Sequence, residues 1–172
     1  MSDSVDLSSG IQQWLRRAGM ELIQGSDAGD GRPEIWNEGG ERRYFIGRSD
    51  NYFVISSSDR LGDERFHFGA QTMDLIEKYL YGYFGNAVRK HLGLPRVQKP
   101  FTRGELKQHF SLGKIHFAGC ERETLVDPNG STIAIGADDR LVELSHYVDV
   151  PVSIINESFL DPEGMPLFAA LA

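Results

Sequence analysis

Residues 72–92 read TMDLIEKYLYGYFGNAVRKHL, and the spacing of their apolar side chains decides how the rest of the chain must pack. Met73, Ile76, Leu80, Tyr83, Phe84, Ala87 and His91 recur at three- and four-residue steps, placing them on one side of a single long helix and predicting that side to be buried. Leu75, Tyr79 and Val88 fall outside the stripe, so this helix should be central and covered on two sides. Gly82 and Gly85 are each about 1 kcal/mol worse than alanine inside a helix, which predicts that another element approaches closely there. Gly93 and Pro95 then end the helix.

Working outward, the N-terminal side reads as one helix followed by a meander. Ser8 and Ser9 are N-caps for a helix carrying Ile11, Trp14, Leu15 and Ala18, closed by Gly19. Strands are expected at 20–24, 34–38, 42–48 and 52–57, with Gly39-Gly40 as a hairpin turn. Residues 25–33, GSDAGDGRP, are nearly all turn-forming and read as an exposed loop. Residues 58–62 make a polar turn, and 64–68 form a further edge strand.

On the C-terminal side, LPRVQKP (94–100) is extended, because proline disfavours helix in the residue before it. Thr102 and Glu105 have capping-box spacing, predicting a helix over 103–110. A second hairpin follows (112–118 and 123–126), then the turn Asp127-Pro-Asn-Gly130, a strand at 131–135, and two helices at 139–148 and 151–160. The expected class is α+β: a mainly antiparallel sheet, meander plus second hairpin, around a long central helix, with a C-terminal helical pair. Residues 1–172 should form a single domain.

Composition narrows the function. No apolar run is long enough for a membrane span, and the first 20 residues lack a hydrophobic signal core, so the expected location is the cytosol. The single Cys120 allows no internal disulfide. Net charge is −7, made up of −4 over residues 1–40, +5 over 41–120 and −8 over 121–172. Such segregation supports either internal pairing or an acidic face for a basic partner.

Catalytic constellations are missing from the pattern. There is no G-x-S-x-G around a serine, and Cys120 has no local nucleophile signature. His67, His91, His109, His116 and His146 are scattered without metal-ligand spacing, so no metal or cofactor is expected. The glycines at 25–31 precede a strand rather than a helix and carry Asp27 and Asp30, which repel phosphate. Residues 141–160, LVELSHYVDVPVSIINESFL, place Leu144, Val148, Val150 and Ile155 as a helix-turn-helix would, which makes a DNA-binding regulator the alternative function. Yet that stretch holds Glu143, Asp149 and Glu157 and no lysine or arginine, so it lacks the charge to meet phosphates.

Taken in order, WNEGGERRYFIGR (36–48), ISSSDR (55–60), IEKYLYGYFGNAVR (76–89), HFAGCERETLVD (116–127), DRLVELSHYVDV (139–150) and ESFLDPEG (157–164) resemble the immunity proteins of polymorphic toxins, family sixty-one. The resemblance runs from Trp14 to the C-terminus. It implies a cytosolic antitoxin that is not an enzyme: it binds the catalytic domain of a secreted NAD glycohydrolase, one-to-one, and keeps NAD from the active site. Occlusion asks for complementarity over roughly 1,600 Å² with a few buried anchors. The resemblance assigns no contact residues. Loops on a rigid sheet are a common place for recognition, so the expected toxin-binding set is Asp27, Asp30 and Arg32 in the first loop with Asp59, Arg60, Asp63 and Glu64 before the central helix.

Overall fold

Alternation along 42–59 makes the two middle strands of the meander, and everything else in the computed structural model is assembled from them; residues 4–170, apart from 38 and 61, are described. The expected strand end at Glu38 and Leu61 of the polar turn lie outside the described residues. The elements are α1 (Ser9–Arg17), β1 (Met20–Ile23), β2 (Glu34–Asn37), β3 (Arg42–Ser49), β4 (Tyr52–Asp59), β5 (Arg65–Ala70), α2 (Met73–Tyr83), α3 (Gly85–His91), β6 (Val97–Gln98), β7 (Ser111–Phe117), β8 (Cys120–Val126), β9 (Thr132–Ile135), α4 (Asp138–Ser145), α5 (Val152–Leu160) and β10 (Ala169–Ala170).

The fold is α+β. Eight strands pair antiparallel in the order β1-β2-β3-β4-β5-β9-β8-β7, and β6 pairs with β10 separately. One sheet face sends Ile35, Tyr44, Ile46, Ile55 and Phe68 into a core shared with Ile11, Ile76, Leu80, Leu141, Ile155 and Phe159 from the helices. The outer face carries Trp36, Arg43, Phe45 and Ser56, as the pairings Trp36 with Arg43 and Phe45 with Ser56 require.

Several expectations need correction. The long central helix is two helices meeting at Phe84, which sits at φ −97° and ψ 1°. Hydrogen bonds from Phe84 N to Leu80 O and from Val88 N to Phe84 O, both 3.0 Å, carry the chain across this kink. Residues 65–70 are not an edge strand, because Gly69 and Ala70 pair with Ile135 and Ala134 and so join the meander to the second hairpin. The helix expected over 103–110 is one 3-10 turn, Arg103–Glu105: the capping box forms, but Leu106 turns extended at ψ 135° and the chain runs into β7. His91 is exposed, its imidazole lying over Gly19, and Gly25 is buried, with the carbonyl of Val5 occupying the place of a Cβ.

The glycines of the kink are where helices approach. A Cβ at Gly82 would stand 2.4 Å from Glu143 Oε2 and 2.5 Å from Tyr147 Cε2; one at Gly85 would stand 2.2 Å from the Phe159 ring. Phe159 is fully buried, so it cannot swing away cheaply. Gly85→Ala should therefore destabilise the fold by about 1–3 kcal/mol despite alanine's better helix propensity, read as a lower urea midpoint at unchanged m-value.

Two polar groups are built into this core. His67 Nε2 lies 2.8 Å from the Tyr79 hydroxyl and Nδ1 lies 3.0 Å from Arg140 Nη1. Arginine can only donate, so Nδ1 accepts and the proton sits on Nε2, which donates to Tyr79. Arg89, fully buried, donates to the carbonyls of Pro95, Phe159, Asp161 and Pro162.

Candidate protein-binding surface

Strand alternation leaves Phe45 on the outer sheet face, and Arg32 lies over its ring at 4.8 Å. From there Arg32 donates to Asp30 Oδ2 at 2.9 Å and, through both Nη atoms, to the two Glu64 oxygens at 2.6 and 3.0 Å. Ser56 on β4 donates to Glu64 Oε1 at 2.7 Å. Asp30, Arg32 and Glu64, expected from two separate loops, thus form one network anchored on a strand. The Arg32 guanidinium holds the Glu64 carboxyl below its usual range, and the backbone N–H and guanidinium of Arg32 do the same for Asp30. Exposed ion pairs add little to stability, so what this network supplies is a fixed, fully charged surface.

A second group forms at the far end of β3 and β4. Arg42, register partner of Asp59, donates to both its carboxylate oxygens at 2.8 and 3.3 Å, and this keeps Asp59 ionised. Arg60, held at φ +47° by the turn, pairs with Glu41 at 3.8 Å. Asp63 lies in the connection that joins the two groups and Asp27 in the 3-10 turn Gly25–Asp27; both are exposed and, among the described residues, without a side-chain partner.

Reasoning from sequence missed several neighbours. A cavity of about 550 Å³ beside the Arg32 network is lined by Val5, Gly47, Arg48 and Val54 as well as by the network itself. Gly47 is the legible signal: a Cβ there would stand 3.0 Å from Arg32 Cδ, so the bare strand lets the guanidinium lie flat. Further along the face, Phe117 packs against Tyr52 and Phe66, with Arg122 over Phe66 at 4.2 Å. Arg43 donates to Glu34 Oε1 and Trp36 Nε1 to Glu21 Oε2, each at 2.8 Å. The face therefore combines aromatic area with oriented charges, the combination that anchors protein interfaces. Among the described residues no group of three or more His, Cys, Asp or Glu could hold a metal ion.

The chain is similar to known proteins over nearly its whole length. It is 54% identical over 168 residues, 98% of this chain and 96% of the relative, to the "Immunity factor for TNT" of Mycobacterium tuberculosis (strain ATCC 25618 / H37Rv). The "Immunity factor for TNT homolog" of Mycobacterium bovis (strain BCG / Pasteur 1173P2) matches with the same identity and coverage. Among solved structures, "Rv3902c from M. tuberculosis" superposes with a TM-score of 0.96 at 52% identity, covering 99% of this chain and 98% of that one. The family model described as Immunity protein 61 matches residues 14–167, and the chain belongs to that family of immunity proteins.

Proposed function

We propose that this immunity protein binds the catalytic domain of a toxin that hydrolyses NAD, one-to-one, and blocks NAD from its active site without catalysing anything itself. The observation that carries this reading is the 54% identity, over 98% of the chain, to proteins named as immunity factors for TNT. The NAD glycohydrolase partner follows from the family resemblance. A site that accepts an anionic dinucleotide is complemented by carboxylates; Asp30 and Glu64 are held ionised beside the outer sheet face, and Asp59 at the end of β4. Asp27, Asp30, Arg32, Asp59, Arg60, Asp63 and Glu64 are the proposed contacts. Such an inhibitor is needed where the toxin is made, which places it in the cytosol; no helix among the described residues is long and apolar enough to cross a membrane.

The DNA-binding alternative has little support. α5 turns Ile155 and Phe159 into the core, and residues 141–160 offer no cation to a phosphate backbone.

Turnover of NAD by the toxin domain, with this protein titrated in, tests the proposal. Activity should fall linearly to zero at one equivalent; full activity at excess inhibitor would reject it. Charge reversal at Asp59 or Asp63 should weaken inhibition by about tenfold, and at Glu64 by more, because Arg32 is left without its bidentate partner. Unchanged inhibition by Asp59→Lys and Asp63→Lys would remove that loop from the interface.

A further inference from the structure

α3 and the extended segment that follows it enclose a second, chemically different concavity. A cavity of about 580 Å³ opens between them, with Lys90, Arg96 and Lys99 on its wall and no acidic residue in its lining. In a chain of net charge −7, two cations that face one cavity without a carboxylate partner, Lys90 and Arg96, are out of keeping with the whole. Lys90 and Arg96 are exposed and, among the described residues, have no ion-pair partner. Lys99 is held in place by Gly82 O at 2.9 Å and Glu143 Oε1 at 3.1 Å.

The wall of this cavity is fixed before any ligand arrives. Buried Asn86 accepts from Val97 N at 2.9 Å and donates to Val97 O at 3.3 Å, while Arg89 donates to Pro95 O. β6 is pinned from its other side by β10. Two buried polar side chains of α3 thus hold residues 95–97 off the helix at a set distance, which lowers the ordering cost of binding. An adjoining cavity of about 340 Å³ shares Tyr83, Asn86, Arg96 and Lys99; the Lys99–Glu143 pair lies on this shared wall, and Asp139 and Arg140 line the second cavity alone. Unpaired Lys90 and Arg96 in one cavity and the exposed Asp139 carboxylate in the other match a ligand with phosphate on one side and hydroxyl donors on the other, and the volume suits a nucleotide.

We propose that the cleft between α3 and residues 94–101 binds a nucleotide-sized phosphate ester, its phosphates at Lys90 and Arg96 and its hydroxyl-bearing end towards Asp139. The site is separate from the outer sheet face and does not rest on the antitoxin reading. Calorimetric titration of the full chain with ADP, in the absence of any toxin, tests it. Saturable binding is expected, at least about tenfold weaker in the double variant K90Q/R96Q, whose melting temperature without ligand should be unchanged because both side chains are exposed. Pyrophosphate should bind more weakly than ADP. The proposal is overturned by no heat at about 10 mM ADP, by equal binding to the double variant, by pyrophosphate matching ADP, or by binding of an oligoglutamate peptide where ADP does not bind.

Discussion

Arg89→Met should destabilise the protein by about 3–5 kcal/mol. The methionine would fill most of the volume, so the cost is polar. Four carbonyls, of Pro95, Phe159, Asp161 and Pro162, now receive guanidinium donors in an interior where water does not reach the side chain. An unsatisfied buried acceptor costs about 1–3 kcal/mol, and the turn at 161–162 can recover part of this by moving outward. Arg89→Lys should recover little, because one ammonium cannot reproduce a planar fork directed at carbonyls from two sides. Urea unfolding followed by circular dichroism reads the result; a loss below about 1 kcal/mol would mean that the C-terminal segment holds without this clamp.

That clamp also shows where reading the chain stops. The periodicity of 73–91 is local, so a helix was visible, and Gly82 and Gly85 correctly announced close neighbours. The break at Phe84 was invisible because apolar residues keep their three- and four-residue spacing through it. The strand expected at 64–68 reads as an edge because the second partner of β5, β9, lies more than 60 residues on. Register between distant strands leaves no trace in either one alone. The capping box at Thr102 and Glu105 forms as its spacing predicts, yet the helix it opens is a single turn, since a cap starts a helix without sustaining one.

The candidate surface divides the same way. Polar turns identified Asp30, Arg32 and Glu64 as exposed, but a bidentate pair between residues 32 and 64 depends on β2, β3, β4 and β5 lying side by side. Once they do, carboxylates and guanidiniums that looked like independent loop residues become a network with fixed geometry. Gly47, in the middle of a strand, was the one local mark of that contact.

Acid should destabilise the protein through His67 before most of its carboxylates protonate. The ring is buried between Tyr79 and Arg140, with Tyr44 and Tyr83 packed edge-on, and burial followed by the nearby Arg140 charge pulls its pKa down to about 3. Both ring nitrogens are committed with Nδ1 as an acceptor, so a second proton would set N–H against the Arg140 guanidinium. In the unfolded chain the same residue titrates near 6.5. The unfolded state therefore binds the extra proton first: the stability contributed by neutral His67 is complete above pH of about 6.5 and declines as pH falls towards about 3. At pH 5 the loss amounts to about 2 kcal/mol. His67→Gln preserves a donor for Tyr79 and an acceptor for Arg140 but cannot titrate. Its stability should change by about 2 kcal/mol less than that of the parent between pH 7 and pH 5, whatever its absolute value. Parallel pH profiles for the two proteins would show that the ring protonates in the folded state as easily as in the unfolded one. They would also mean that Arg140 moves away to allow it.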